Sequence, residues 1–378
     1  MAEAQEEAGL VTVNLDYIDP ALARQTEFEA SFAYFSDRRL SVAAYDAALV
    51  LPGCAEGGGV IDADGRLVDC SVVQNRWPKG GLYAFDRKEV VDEEVVYIGM
   101  FYSCWGHVIT DNLKHLWFLT SPEVDARIKR LKFVYTTTHI GPEMPENFKE
   151  MLRLLGLEFK ELVRIERPTQ FRRVYVPEPC FGPVRPGTPY RYTKEYAEIV
   201  ERLLSAAGAE PGPADRSVYF TRTGWKLDRA EGEKRIETVF RNLGYEIVRP
   251  ETLSFVQMVR LLSRVRNFAA TDGSCAHNAL FLRKGSRAVV IRKAAYSNFY
   301  QSIIGQVREL DTVYVDANRS DMLADDRFPV LGPFFLYVNE RLARFAGVRP
   351  RFPVFAYLRY ALPQLPRKLL RKIHTPRK

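Results

Sequence analysis

The sequence lacks a long apolar run, and this absence limits the kinds of protein it can encode. Nowhere in its 378 residues is there a stretch close to the roughly 18 to 20 apolar residues that cross a bilayer as a helix. The segment Met1 to Ala8 is acidic and lacks the basic and apolar regions of a secretory signal. With 47% hydrophobic and 27% charged residues, the composition is that of a soluble globular protein. We therefore expect a cytoplasmic protein.

Cysteine is scarce and dispersed. The chain holds five cysteines, none of them spaced as CxxC: Cys54, Cys70, Cys104, Cys180 and Cys275. Such an odd, scattered set predicts free thiols rather than a disulfide framework. Cys104 and Cys275 lie beside the two motifs described below, but no basic partner is evident that would activate a nucleophilic thiol. Both are therefore expected to be structural.

Acidic residues are absent from the last tenth of the chain. Residues 341–378 contain eleven Lys or Arg and no Asp or Glu, whereas the net charge of the whole chain is +7. The same segment carries the aromatic residues Phe345, Phe352, Phe355, Tyr357 and Tyr360. Basic residues interleaved with apolar ones suit an anionic membrane surface, here the inner face of the cell membrane. A disordered basic tail and a nucleic-acid-binding segment are the alternatives.

The length of the chain exceeds that of one ordinary hydrophobic core and predicts two domains. Five prolines stand between Val176 and Arg191, a density that blocks regular structure and stiffens an extended connection. We place the link between the domains there. The predicted division is residues 1–190, residues 191–335 and a basic aromatic tail over residues 336–378.

Short β-rich runs alternate with segments of helical periodicity in both halves. The sequence predicts strands over 132–137, 172–176, 217–221, 245–248, 267–271 and 287–291, and helices over 146–155, 231–243, 254–263 and 276–283. Ser254 followed by Gln257 forms a capping box that marks one helix start. This alternation predicts two α/β domains with parallel sheets, whose ligands bind beyond the carboxyl ends of the strands.

The first motif follows the apolar run Val95 to Gly99, where an amphipathic helix is predicted. His107, Asp111 and His115 are spaced four residues apart and would form one polar stripe on that helix. The first two stand near the helix start, where unpaired N–H groups favour anionic ligands, whereas His115 reads as a surface or satisfied interior histidine. Zinc would accept imidazole and carboxylate ligands, but no further Cys/His cluster supports a metal site.

The second motif is the turn Thr271 to Asn278 between a predicted strand and a predicted helix. Gly273 allows a positive φ or a close backbone approach, and Ser274 adds a side-chain donor. His277 and Asn278 follow in the first helical turn. N–H groups at such a helix start can cradle a phosphate.

Two arginines lie upstream of this turn, after the strand at 217–221. Arg222 comes just past the strand and Arg229 follows seven residues later. The planar fork of arginine matches two phosphate oxygens, so both are candidates to bind a diphosphate. The alternative is a surface arginine paired with Asp228 or Glu231.

Together these motifs resemble glycosyltransferase family 61, over about residues 90 to 295 and most strongly over 217 to 292. Four segments carry the resemblance: Gly106-His107 through Asp111; Arg222 and Arg229 followed by Glu233; Gly244 to Phe255, which includes Ser254; and Gly273 to Phe281. One departure matters, because many relatives have His where this chain has Asp272. His277 is a candidate to compensate for it.

The resemblance implies a GT-B-like architecture, with two Rossmann-like α/β domains facing across a cleft, and an inverting transfer from a nucleotide sugar, which we expect to be UDP-linked. Residues 1–190 would take the acceptor and residues 191–335 the donor. The expected catalytic residues are His107 as the base, with Asp111 orienting it or acting itself. The expected donor-binding residues are Arg222, Arg229, Gly273, Ser274, His277 and Asn278, with Glu233, Asp272 and Ser254 as further candidates.

The resemblance also implies a bacterial-type hexosyl- or pentosyltransferase of capsule or surface polysaccharide synthesis. Its acceptor would be a glycan or a polyprenyl-linked glycan, and residues 341–378 would contact an anionic membrane. Fixed positive groups can stabilise the leaving phosphates, so no metal or other cofactor is expected, and nucleic acid is not an expected partner. The alternatives are a non-catalytic carbohydrate- or nucleic-acid-binding protein on the same fold and a pyruvyl-type transferase.

Overall fold

The structure is a computed structural model that describes residues 11–72, 80–101, 104–137, 144, 146–157, 162–183, 188–209, 214–224, 230–294, 298–318 and 334–364. The chain divides into two compact units, each built from separated segments. Unit 1 comprises Met1–Phe32, Pro211–Leu253 and Leu261–Lys378. Unit 2 comprises Ala33–Glu210 and Ser254–Arg260.

Strands and helices alternate through most of the chain. The strands are β1 Val13–Tyr17, β2 Val42–Asp46, β3 Leu49–Leu51, β4 Gly59–Ile61, β5 Glu89–Phe101, β6 Lys132–Thr137, β7 Leu162–Arg164, β8 Thr169–Pro177, β9 Phe181–Gly182, β10 Arg191–Tyr192, β11 Arg216–Phe220, β12 Ala230–Glu231, β13 Glu246–Val248, β14 Val265–Thr271, β15 Arg287–Arg292, β16 Asp311–Asp316 and β17 Phe334–Phe335. The helices are α1 Pro20–Ser31, α2 Trp105–His107, α3 Glu146–Leu154, α4 Lys194–Ala206, α5 Glu233–Asn242, α6 Phe255–Leu262, α7 Phe299–Val307, α8 Glu340–Ala346 and α9 Val354–Ala361. The predicted α/β class is confirmed.

Unit 1 is organised around a parallel sheet. Its strands follow the order β1-β16-β15-β14-β11-β13, and each neighbouring pair is parallel. The strands β11, β13, β14 and β15 lie within two residues of their predicted bounds. Their sequences are rich in Val, Ile, Phe and Ala because both faces of the sheet are covered. The core of the unit is formed by Tyr219, Ile236, Phe240, Ala269, Val289, Ile291, Val313, Val315, Ala317, Leu336 and Leu342.

The N-terminal segment belongs to unit 1, although residues 33–210 separate it from the rest of that unit in sequence. β1 pairs in parallel with β16, and Asp19 N donates to Asp316 Oδ2 at 2.6 Å. α1 contacts α7, and Gln306 Nε2 donates to Phe32 O at 2.7 Å. The compact units therefore have other bounds than the contiguous domains predicted at residue 190. β1 belongs to this sheet because it pairs with β16, which is distant in sequence. The periodicity of the sequence around β1 does not indicate that pairing.

Unit 2 contains a mixed sheet, which corrects the prediction of a parallel one. β8, β5, β6 and β7 are parallel neighbours in that order, whereas β2, β3 and β4 pair antiparallel at the β8 side. The antiparallel strands are short, and no segment of helical periodicity separates them in the sequence. The alternation of strand and helix on which the prediction rested is therefore missing here. Val50, Val95, Tyr97, Val134 and Val174 are fully buried in the core of this unit.

The proline-rich stretch from Pro177 to Pro189 lies within unit 2 and not between the units. It begins at the last residue of β8 and contains β9, which pairs antiparallel with β10 just after the stretch. Residues 184–187, with Pro186, are outside the described part of the chain. α4, which comes next, also belongs to unit 2.

The predicted amphipathic helix over the first motif is not a continuous α-helix. α2 passes into a π-helical turn over Val108–Asn112 and then a 3₁₀ helix over Leu113–Leu119. The wide π-turn is held from outside, since Tyr196 OH donates to Ile109 O at 2.8 Å. Every residue from Val108 to Phe118 is buried, including the polar ones. A π-turn inside a helix frequently marks a functional position.

Residues 336–364 fold onto unit 1, so a disordered tail is excluded over this part of the basic segment. α8 places Leu342 in the core. Val338, before α8, forms an isolated antiparallel β-bridge with Arg351, which comes after the helix. The remaining basic residues, over 365–378, lie outside the described part of the chain. Within the described residues, no helix is long and apolar enough to cross a membrane.

The capping box at the start of α6 allows a stability test. Ser254 Oγ accepts from Gln257 N at 3.2 Å, and Gln257 Oε1 accepts from Ser254 N at 2.9 Å. Ser254→Ala leaves a helix N–H without its side-chain acceptor, and we expect it to lower the free energy of unfolding by about 1 kcal/mol. Urea denaturation measures the change. Ser254→Thr should restore most of it, and an alanine variant as stable as the wild type would contradict the capping role.

Candidate functional site

In each unit the predicted site residues lie at the carboxyl ends of two neighbouring parallel strands, at the point where the strand order of the sheet reverses. In unit 1, β13 lies on one side of β11, and β14, β15 and β16 follow on the other. The loops after β11 and β14 therefore leave the sheet in opposite directions and open a crevice at its carboxyl edge. Ligands of doubly wound sheets bind at this position. Arg222 and Gly273 stand in these two loops.

The loop after β11 is held by two glutamates of α5. Glu233 is fully buried, and its Oε1 accepts from Tyr219 OH at 3.0 Å and from Arg222 N at 3.3 Å. Glu237 accepts from the hydroxyls of Thr221 and Thr223. Glu233 thus fixes the backbone that carries Arg222, which makes it a positioning residue.

The turn after β14 has the predicted backbone conformation. Gly273 adopts a φ of +103°, and a Cβ there would lie 3.3 Å from Lys293 Nζ. The preceding Asp272 is buried, and its Oδ1 accepts from Asn298 Nδ2 at 3.0 Å. Glycine at this position therefore allows a lysine ammonium to approach the backbone of the turn.

Lys293 is a candidate functional residue that the sequence analysis missed. It directly follows β15, so it stands at the same carboxyl edge as Gly273, and it is almost fully buried with Nζ 5.0 Å from the centroid of the Phe334 ring. An ammonium in this position can attract a phosphate that approaches the turn. The signal was available, because the run Arg287 to Ile291 was predicted as a parallel strand and Lys293 stands just beyond it.

The segment after the turn differs from the helix predicted over residues 276–283. Ala276–Phe281 is a short 3₁₀ helix, and the N–H groups of His277 and Asn278 donate to Gly273 O and Cys275 O. His277 is buried, and its Nδ1 lies 3.2 Å from Gln301 Oε1. Asn278 Nδ2 donates to Cys275 O at 2.9 Å. Both residues shape the turn from within.

The sequence predicted a buried structural thiol at both Cys104 and Cys275; Cys275 is buried as predicted, whereas Cys104 is exposed. Burial raises the pKa of the Cys275 thiol, as does the nearby carboxylate of Glu233, while the positive charges of Arg222 and Lys293 act in the opposite sense. The thiol donates to Phe220 O at 3.4 Å, and all five cysteines are free. The positive charges of Arg222, in the loop after β11, and of Lys293, just after β15, therefore both reach the Cys275 thiol beneath the Gly273 turn.

Unit 2 repeats the arrangement with different chemistry. β5, β6 and β7 succeed one another in one direction, and β8 returns to the opposite side of β5. The irregular helix that starts at Trp105 lies on the carboxyl ends of both strands at this reversal. Asn112 Nδ2 donates to Met100 O at 3.1 Å, and Trp117 Nε1 donates to Glu178 O at 2.8 Å. The first motif is thereby fixed at the edge where ligands bind.

His107 and Asp111 form a close pair within this helix. His107 Nδ1 lies 2.6 Å from Asp111 Oδ2, and the histidine side chain is 23% exposed while the aspartate is 2% exposed. Thr110 Oγ1 also contacts Asp111 Oδ2, at 3.4 Å. A buried carboxylate that accepts Nδ1–H selects the tautomer whose lone pair is on Nε2. The pair can therefore take a proton from a hydroxyl group.

His115 has no part in this pair; of the two alternatives predicted for it, the satisfied interior histidine is confirmed and the surface histidine is wrong. Its Nδ1 lies 3.0 Å from Pro177 O, and a Cβ on Gly99 would lie 3.0 Å from its ring. Burial, with the charge of Lys114, lowers the pKa of His115 to about 3. The ring is therefore neutral and joins the helix to the end of β8.

The remaining predicted residues divide by position. Arg229 lies outside the described residues, Ser274 is half-buried in the Gly273 turn, and Ser254 caps α6. His107 and Asp111 belong to unit 2, and Arg222, Glu233, Asp272 and the Gly273 turn belong to unit 1. Across the described part of the chain, no three His, Cys, Asp or Glu side chains gather in a way that could hold a metal ion.

These features define an α/β protein with an electropositive turn at the edge of one sheet and a histidine–carboxylate pair at the edge of the other. Residues 105–290, just under half of the chain, match the family model described as Glycosyltransferase 61. The match supports a family 61 glycosyltransferase and, with it, glycosyltransferase activity in general. It begins at the helix of His107 and extends through the Gly273 turn to β15. No curated protein matches the chain.

The buried His115 predicts a pH-dependent loss of stability. The pKa of His115 falls from 6.5 to about 3 on folding, so the unfolded state binds a proton first as the pH falls. The folded protein therefore has its full free energy of unfolding, as far as His115 is concerned, only above pH 6.5. As the pH falls toward 3, this one group should cost about 1.4 kcal/mol per pH unit. His115→Asn keeps a donor for Pro177 O. When the free energy of unfolding is measured by urea denaturation at several pH values, its slope against pH should be shallower in this variant by about that amount. Equal slopes in the two proteins would contradict the neutral buried ring.

Proposed function

We propose that this protein is an inverting glycosyltransferase that moves a sugar from a UDP-linked donor to a glycan or polyprenyl-linked acceptor. The observation that carries the proposal is the chemistry at the two sheet edges. One edge presents cations beside a glycine turn, as a diphosphate requires. The other presents a histidine backed by a buried carboxylate, as deprotonation of an acceptor hydroxyl requires.

The donor diphosphate is proposed to bind in unit 1, between the loops after β11 and β14. Arg222 and Lys293 would supply the positive charge, and Gly273, which carries no Cβ, would leave room for the phosphate beside its turn. Cleavage of the sugar–phosphate bond leaves negative charge on the diphosphate. Fixed cations stabilise that charge more in the transition state than in the bound donor, which lowers the barrier.

The acceptor is proposed to be activated in unit 2 by His107. Inversion by a single displacement requires a base that removes the proton of the attacking hydroxyl. Of the pair, His107 is the more exposed and so is the group that meets the acceptor, while the buried Asp111 holds Nδ1–H. The hydroxyl proton passes to Nε2, and the carboxylate stabilises the imidazolium that forms.

The wider setting follows the family resemblance. It comprises a GT-B arrangement of the two units, transfer in the cytoplasm without a metal cofactor, and a place in capsule or surface polysaccharide synthesis. Arg222 and Lys293 support the metal-independent part, because two fixed cations can balance the charge of a leaving diphosphate. Transfer that persists in excess EDTA would agree with it, and transfer restored only by Mg²⁺ or Mn²⁺ would overturn it.

The donor site is tested by thermal stabilisation with UDP. Arg222→Ala and Lys293→Met should each weaken UDP binding at least about tenfold, since each removes a charged partner of the diphosphate. Matched controls stand at the amino ends of the same strands, where Arg216 and Lys284 form exposed ion pairs with Glu246 and Glu309. Arg216→Ala and Lys284→Met should bind UDP as the wild type does. Stabilisation by GDP or CMP alone would reassign the nucleotide, and equal effects in all four variants would overturn the site.

The base is tested by separating binding from transfer. His107→Ala should retain UDP binding and lower kcat by about 10² to 10⁴, the usual range for loss of a general base. Asp111→Asn keeps the shape of the buried side chain but removes the charge that stabilises imidazolium, so kcat should fall while UDP binding stays unchanged. The mass of the product distinguishes sugar transfer from pyruvyl transfer. Turnover of His107→Ala within about tenfold of wild type would show that His107 is not the base.

A further inference from the structure

α9 is apolar on both of its sides, although one side faces solvent. Its inner side packs on unit 1 through Tyr357 and Tyr360, whose ring centroids lie 5.2 and 5.1 Å from that of Phe335. Its outer side presents four exposed apolar side chains, which we call the outer face: Val354, Phe355, Leu358 and Leu362. The helix therefore packs on unit 1 through its inner side and leaves the outer face exposed.

The spacing of the outer face concentrates its apolar surface. Residues at i, i+1, i+4 and i+8 lie within an arc of about 100° on a helix. Phe355 is 87% exposed and Leu362 is 58% exposed, and the exposed Phe352 precedes them in the loop before the helix. Large apolar side chains gathered in this way on a protein surface mark a contact with a partner or a membrane.

The charged residues near the outer face in sequence are all of one sign. Arg349 and Arg351 are exposed just before α9, and Arg359 is exposed on the helix beside Phe355. No Asp or Glu occurs between residues 341 and 378, and six more Lys or Arg follow residue 364. An apolar strip bordered by arginines matches the apolar interior and anionic headgroups of a lipid surface.

We propose that the outer face of α9 docks the protein on an anionic lipid bilayer. Phe355, Leu358 and Leu362 enter the boundary between headgroups and acyl chains, and the flanking arginines bind lipid phosphates. A second copy of this chain fits less well, since a symmetric contact between outer faces would bring the same arginines together. The proposal is independent of sugar transfer, because vesicle binding requires neither donor nor acceptor.

Co-sedimentation of the full-length protein with vesicles tests the proposal. Wild-type protein should pellet with phosphatidylcholine vesicles that contain phosphatidylserine, and high salt should weaken the binding. Phe355→Ser combined with Leu358→Ser should weaken it at least about tenfold, and Arg359→Ala about fivefold. Because every variant retains residues 365–378, these losses report on α9 itself.

The control substitution is Phe28→Ser, which changes an aromatic residue on α1 that is 66% exposed. It should leave vesicle binding unchanged, and all variants should keep the thermal unfolding midpoint of the wild type because none of the changed residues is buried. Equal pelleting of the wild type and the Phe355/Leu358 double variant would overturn the proposal. So would a lipid-free wild-type dimer that this double variant converts to a monomer, since the outer face would then be a contact between copies.

Discussion

Each candidate site depends on one constraint, the reversal of chain order across a parallel sheet. Connections from neighbouring strands leave the carboxyl edge in opposite directions at that point, which is where ligands bind in open α/β sheets. In unit 1 the reversal lies between β11 and β14, and in unit 2 it lies between β8 and β5. The loops there receive Arg222 and Gly273 in one case and the helix of His107 in the other. The chemistry differs because the residues differ, while the position is set by topology.

The sequence predicted the second half of the chain well because strand and helix alternate there without interruption. β11, β13, β14 and β15 are short, β-rich and separated by helical periods, so local pattern and final pairing agree. Elsewhere the pairing is not local. β1 joins β16 across the length of the chain, and β2 to β4 pair antiparallel in short runs that carry no distinctive period. Proline density marked an irregular segment correctly, but irregularity alone does not identify a boundary between compact units.

The candidate site was predicted in part for the same reason. His107 and Asp111 are four residues apart, and this spacing still brings their side chains together although a π-turn replaces the expected α-helix. His115 continues the same spacing but turns toward β8, which periodicity could not show. Lys293 was missed because its partner is the Gly273 turn, twenty residues earlier, and only the register of β14 with β15 brings them together. Motif searches within a loop do not detect cations supplied by the neighbouring strand.

In both units a buried carboxylate holds a residue of the proposed site in position. Asp111 lies beneath His107, and Glu233 lies beneath the backbone of Arg222, each carboxylate being more buried than the group it holds. A buried acceptor with a fixed donor leaves that donor little freedom to reorient, so the reactive group is already in place before a ligand arrives. In the described part of the chain, no buried carboxylate holds the exposed side chains on the outer face of α9 in this way. A lipid surface needs apolar area and charge rather than precise geometry, whereas proton transfer and diphosphate binding depend on positions fixed to within a fraction of an ångström.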